Sequence, residues 1–243
     1  MKTIYYSIGN DPKLKGSMFN APSIGKNINN VLKEKFRDTP DSMYGWLQCP
    51  ATTKSLKNTF EITNNLPFDF QFKDDGTLEV FTDGKPVSKF KDEWVKLIWH
   101  LRSIKDKFAS LNYSIFLFCE EDLEVEQHHP WYSDGEFATN TYQTVGGFNI
   151  SKWFRPIQVT FIGKTNNKVS VKKGEPLCYL KFLTEEKIKF VEFEMTEKLH
   201  MLGVNCTGLK FLDPFNNLSN LYKRFTALNF QKRIIKEIKN NLV

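Results

Sequence analysis

At 243 residues, with 40% hydrophobic and 14% aromatic residues, the chain has ample material for a packed core, which excludes wholesale disorder. Its net charge of +6 rests on 34 basic residues, of which only Arg37, Arg102, Arg155, Arg224 and Arg233 are arginine, so the bidentate reading of bases and phosphates that arginine serves is a minor theme. No apolar run approaches the roughly 18 to 20 residues that span a bilayer, and the opening MKTIYYSIGND lacks a signal-peptide core, which points to a soluble, cytoplasmic protein.

Residues 2–8 read as an opening strand, broken by the turn Gly9-Asn10-Asp11-Pro12. Ile24, Ile28, Val31, Leu32 and Phe36 have helical spacing and predict a short helix over 24–36, ended by Thr39-Pro40-Asp41. Residues 43–48 read as a strand. Phe68-Asp69-Phe70-Gln71-Phe72 alternates strictly, as a half-buried strand does, and Lys73-Asp74-Asp75-Gly76 turns it into a second strand at 78–81. Thr82-Asp83-Gly84-Lys85 is another turn, and 94–99 fits helix or strand equally. Strands are then expected at 114–119, 123–126, 148–162, 168–171, 177–183 and 188–194. From Asn217 to Val243 there is no Gly or Pro, and Leu218, Leu221, Tyr222, Phe225, Leu228, Ile235 and Ile238 recur at three- and four-residue steps. This predicts one amphipathic helix, with Asp213-Pro214 and Asn216-Asn217 as its start signal.

The elements describe a mainly β (α+β) protein: an antiparallel sandwich, jelly-roll-like or β-clip-like core over 1–212, and a helical extension over 213–243 packed on it. Four scattered cysteines (Cys49, Cys119, Cys178, Cys206) with no CxxC pair exclude a zinc knuckle. They are expected reduced, with Cys119 and Cys178 as small buried hydrophobes.

Several residues are candidates for chemistry or binding. Glu124, Glu126 and His128 are two apart and share one face of a strand, so with His129 they offer the donor types of a divalent metal such as Fe or Mn. The alternative is a solvated acidic face. Arg155 could hold a carboxylate or phosphate, or stack on Trp153. Trp131, Tyr132, Trp153 and Phe154 could line a partner surface or join the core. His100 and His200, each beside apolar residues, read as structural. No nucleophile elbow, GxGxxG or Walker sequence occurs. The C-terminal helix carries Lys223, Arg224, Lys232, Arg233, Lys236 and Lys239 against Glu237 alone. Its face is available to the sheet, to a protein partner or second copy, or to nucleic acid, and least to a membrane.

Two resemblances add to this reading. Gly147-Phe148-Asn149-Ile150-Ser151-Lys152-Trp153-Phe154-Arg155-Pro156, then 171–180, with Cys49-Pro50-Ala51, Asn58-Thr59-Phe60 and Pro67-Phe68-Asp69, resemble a set of uncharacterised proteins of marine T4-like bacteriophages and some bacteria. The resemblance implies a phage-like origin, action in a host cytoplasm or virion, and no particular activity. Residues 169–182 resemble the strand–Lys-Gly-Glu–Pro–strand hairpin of dUTPase-like and other β-clip folds, without the dUTPase catalytic motifs. The expected function is a non-enzymatic binding or assembly protein acting through a β surface and the basic helix, without a cofactor. The alternatives are a metal-dependent jelly-roll enzyme (cupin-like or 2-oxoglutarate-type) and a β-clip nucleotide binder.

Overall fold

The computed structural model describes residues 1–8, 23–38, 45–65, 67–82, 85–86, 99–203 and 218–243. Their strands, β1 to β15, form three sheets. The first sheet runs in the order β10 (Thr141–Gln143), β12 (Pro156–Gly163), β8 (Phe108–Cys119), β1 (Lys2–Ile8), β15 (Ile188–Glu192), with β7 (Trp99–Ser103) also on β8. The second is β11 (Gly146–Asn149), β9 (Glu124–His128), β14 (Pro176–Phe182), β3 (Thr59–Thr63), β2 (Ser23–Asn27). The third is β13 (Val169–Val171), β4 (Phe68–Phe72), β5 (Leu78–Thr82), β6 (Lys85–Pro86). The pairings are antiparallel except β1 with β15, which is parallel and joins the first strand to the last.

Alternation decides the layers. Along β8, Ile115, Leu117 and Cys119 face a core shared with Val125, Cys178, Leu180 and Phe182 of the second sheet and Phe70, Phe72 and Val80 of the third. The intervening Phe116 and Phe118 face the other way, into a cluster with Tyr5, Phe193, Phe225, Ile234, Ile235 and Ile238. The second sheet also has a covered outer face. There Tyr179 of β14 packs against Ile28 and Leu32 of α1 (Ile28–Lys35), Leu47 of a 3₁₀ turn (Gly45–Gln48) and Leu56 of α2 (Pro50–Leu56). The result is a β sandwich with helices on both outer faces, and its phenylalanines fill the interior, as their abundance predicts.

Five expectations change. The helix expected over 24–36 begins only at Ile28: Ile24 pairs with Ile62 in the sheet, and Asn27 caps α1 by accepting from the Asn29 amide at 3.0 Å. The strand expected over 43–48 is the 3₁₀ turn, at least from Gly45 on. The strand expected over 148–162 is two strands in different sheets, β11 and β12, separated by a turn in which the Ser151 amide donates to Asn149 Oδ1 at 3.0 Å. The C-terminal helix is two: α5 (Leu218–Ala227) and α6 (Phe230–Lys239), broken where Asn229 takes a left-handed φ of 55°, a conformation asparagine tolerates better than most residues. The break lets Phe225 of α5 and Phe230 of α6 meet at 5.8 Å while Ile234, Ile235 and Ile238 reach the sheet. Residues 241–243 then run back along the strand edge, Glu194 N donating to Asn241 O at 2.8 Å and Val243 N to Glu192 O at 3.1 Å.

The Lys-Gly-Glu segment is a crossover rather than a hairpin, since β13 belongs to the third sheet and β14 to the second. Gly174, at φ +84°, makes the turn that other residues resist. The Glu175 carboxylate that follows accepts from the amides of Phe137 (2.9 Å) and Lys172 (3.0 Å), fastening α3 (Glu136–Asn140) to the turn. Gly135 is required by the same contact, because a Cβ there would lie 2.1 Å from Glu175 Oε1. The turn at 9–12, the Thr39-Pro40-Asp41 stop, residues 83–84, 94–98, Cys206 and the 213–217 start signal lie outside the described residues. Among the described residues no helix is long and apolar enough to cross a membrane.

Candidate functional site

β9 alternates as expected. Val125 and Gln127 point into the sandwich, while Glu124, Glu126 and His128 share the outer face of the second sheet. Cross-strand register then sets their neighbours. His128, Tyr179 and Glu61 form one row across β9, β14 and β3; Glu126, Lys181 and Thr59 form the next. His128 Nε2 meets Glu126 Oε2 at 3.0 Å. Glu124 lies exposed further along the strand. His129 turns to the opposite side, toward the Ala138 backbone and Lys164, and its buried Nδ1 has no partner among the described residues; burial above all, and then Lys164, lowers its pKa. The four expected metal donors therefore yield one Glu–His pair, and among the described residues no three His, Cys, Asp or Glu side chains converge as an ion's ligand set.

The aromatic candidates on this face are drawn together with rings that lie far off in sequence. Trp131 stacks at a tilt on His128 (4.9 Å) and meets Tyr179 edge-on (6.2 Å). Tyr132 stacks on Tyr179 (6.4 Å, 21°) and on Trp46 (5.7 Å, 16°), and Trp46 meets Phe36 at 6.2 Å. Tyr179 is buried at the base of this ladder, with its hydroxyl pKa raised by burial and by Glu61. Trp131 and Trp46 stand at the rim, 54% and 38% exposed. Beneath lies Glu61, 9% exposed, whose carboxyl is pushed up by burial and partly held down by Lys26. Lys26 itself is paired with Glu34 at 2.7 Å. Nothing in sequence marks Trp46, Tyr179 or Glu61 as members of one cluster; the β3–β14–β9 register brings Glu61 and Tyr179 there, and the 3₁₀ turn over that sheet brings Trp46.

Arg155, Trp153 and Phe154 go elsewhere. Phe154 is fully buried under the helical layer. Arg155 lies over the Trp153 ring at 4.1 Å, a cation–π contact, and Trp153 packs on Tyr222 of α5 at 5.0 Å. These residues fix α5 to the sandwich. His200 sits half-buried in α4 (residues 197–203), and the side chain of His100 lies outside the described residues.

A second polar cluster escaped sequence reading altogether. Cys178, as expected, is buried in the core, and its thiol pKa is pushed up to about 12 by desolvation despite the side chains of Gln143 and Gln127 beside it. Gln127 donates to Gln158 O at 3.0 Å, but both Nε2 and Oε1 of the buried Gln143 lack a partner among the described residues. Alternating strand patterns carry no hint of this, because a buried glutamine and an exposed one read alike.

The basic residues cover the opposite outer face. Lys223, Arg224, Lys232, Arg233, Lys236 and Lys239 are exposed. Lys239 pairs with Glu120 at 2.7 Å, while the other five make no ion pair among the described residues. The molecule thus presents an aromatic outer face on the second sheet, where Lys26 and Lys35 are paired with Glu34 and Asp134, and a cationic outer face over the first, whose lysines are largely without ion pairs among the described residues. No family model matches this chain and no curated protein matches its sequence, so its function is to be read from these two faces.

Proposed function

We propose that the chain is a non-enzymatic binding or assembly protein that docks a protein partner on the aromatic outer face of the second sheet, with the basic helices as a second contact surface. One observation carries this reading: Trp46 and Trp131 stay exposed at the two ends of a ring ladder whose inner members, Tyr132 and Tyr179, hold them in place. Rigid, pre-positioned Trp and Tyr side chains lose little entropy on contact and dominate the energy of protein interfaces. The resemblance to phage proteins supports a phage-encoded chain acting in the host cytoplasm or the virion.

The test compares the parent chain with Trp46→Ser and Trp131→Ser. Light scattering across a concentration series reads self-association, and capture with the purified chain as bait reads other partners. Each substitution removes an exposed side chain and should leave the thermal midpoint within a few degrees while weakening the association by at least about tenfold, or about 1.4 kcal/mol. A strict monomer without a partner, or a partner held equally by both variants, refutes the proposal.

A further inference from the structure

We infer that the groove between α6 and the loop at Glu120–Glu121 binds the phosphate backbone of a nucleic acid. This deepens the role given above to the basic helices, and it stands independently of the aromatic face. The groove has a volume of 660 Å³ and is lined by Lys232, Lys236 and Lys239, with Ile235 and Gln231 among the other lining residues. Lysines at positions i, i+4 and i+7 share one side of a helix, so three ammonium groups form a row about 10 Å long at 1.5 Å per residue. A linear array of cations fits a linear array of phosphates better than it fits a single compact anion.

The groove is pre-formed. Gln231 Nε2 donates to the Glu120 backbone carbonyl at 2.8 Å, tying the loop to the first turn of α6, and Lys239 ties it again at the last turn through the Glu120 carboxylate. Among the described residues Glu120 is the only carboxylate in the lining. The nearby acids are spoken for: Glu121 pairs with Lys2, and Glu237 with Lys198. Arg233 on α6 and Lys223 and Arg224 on α5 are exposed too but do not line the groove.

Two other anionic surfaces fit less well. A helix that lies in a membrane surface must insert its apolar face. Here Ile234, Ile235 and Ile238 are already buried against Tyr5, Phe118 and Phe193 of the sandwich. An acidic protein would need an anchoring apolar or aromatic group in the groove, and Ile235, its one apolar lining residue, is only 7% exposed. A nucleic-acid backbone needs neither: charge and counterion release suffice, and lysines without arginine forks read phosphates rather than bases.

The experiment is fluorescence anisotropy of a short labelled single strand, and of the matching duplex, over a salt series, with the full chain and the double variant Lys232→Glu/Lys236→Glu. If three lysines contact phosphates, the affinity should fall with a log–log salt slope of about −2 on the single strand and about −2.7 on the duplex. The double variant should bind at least about tenfold more weakly, with an unchanged thermal midpoint. Trp46→Ser and Trp131→Ser should bind like the parent, which separates this site from the aromatic face. Unchanged affinity in the double variant overturns the inference. So does equal binding of poly-glutamate, or capture on phosphatidylserine-containing phosphatidylcholine vesicles with no binding of either oligonucleotide.

Discussion

The docking of α6 on the first sheet decides whether the basic helices form a fixed surface or a loose tail, and Ile238→Ala tests it. Ile238 has no exposed area and lies in the cluster of Tyr5, Phe118 and Phe193. Truncation to alanine removes three carbons and leaves a space that fully packed neighbours refill poorly. Such substitutions cost 2–5 kcal/mol, and a middle value of about 3 kcal/mol is expected here. For a chain of this size each kcal/mol lowers the midpoint by about 2–4 °C, which places the variant about 6–12 °C below the parent. Lys236→Ala, on the same helix but exposed, is the control and should stay within about 0.5 kcal/mol. Urea unfolding followed by far-UV circular dichroism measures both, and an unchanged m-value confirms that the same surface is released in each. A loss below about 1 kcal/mol for Ile238→Ala would refute the docked arrangement, and with it the pre-formed groove beside α6.

Two further predictions concern buried polar groups. Burial raises the Glu61 carboxyl above its ordinary value of 4.5, so its folded form holds its proton more tightly than its unfolded form. The stability this confers is complete below the unfolded pKa and is lost as pH rises through the folded one. Glu61→Gln should therefore raise the melting midpoint at neutral pH, and the gain should vanish below about pH 4.5, where the parent is protonated in both states; a pH-independent difference would show that Glu61 is solvated. Gln143 buries an amide with neither atom partnered among the described residues, so Gln143→Leu should be neutral or stabilising by about 1–3 kcal/mol in urea unfolding. A clear loss of stability would mean that an internal water or ligand completes the cluster around Gln143, Gln127 and Cys178.

How much of this was legible in the sequence depended on the range of the interactions involved. Strict alternation at 68–72 and the alternation over 123–126 marked strands with assigned faces, since period two is a property of the extended backbone itself. Thus Glu124, Glu126 and His128 were legible as co-facial, and Cys119 and Cys178 as buried. The amphipathic tail was legible too, but its break was not: Asn229 is unremarkable until the sheet requires Ile234, Ile235 and Ile238 on one side and Phe225 must meet Phe230. Likewise 148–162 reads as one apolar stretch, and only the distance between two sheets shows that it must turn at 150–155.

The partners on each face belong wholly to the tertiary structure. Tyr179 lies beside His128 and Glu61 because β14 pairs with β9 on one side and β3 on the other, strands separated from it by tens of residues. Trp46 reaches Tyr132 because the 3₁₀ turn packs over that sheet. The chain's own periodicities determined which residues are apolar toward the core and which are cationic along α6. Register and layer packing alone decided that two tryptophans would flank a pair of tyrosines on one face and three lysines line a groove on the other. Local backbone geometry repeats within a few residues and can be read from them, whereas long-range pairing is chosen by the whole core at once.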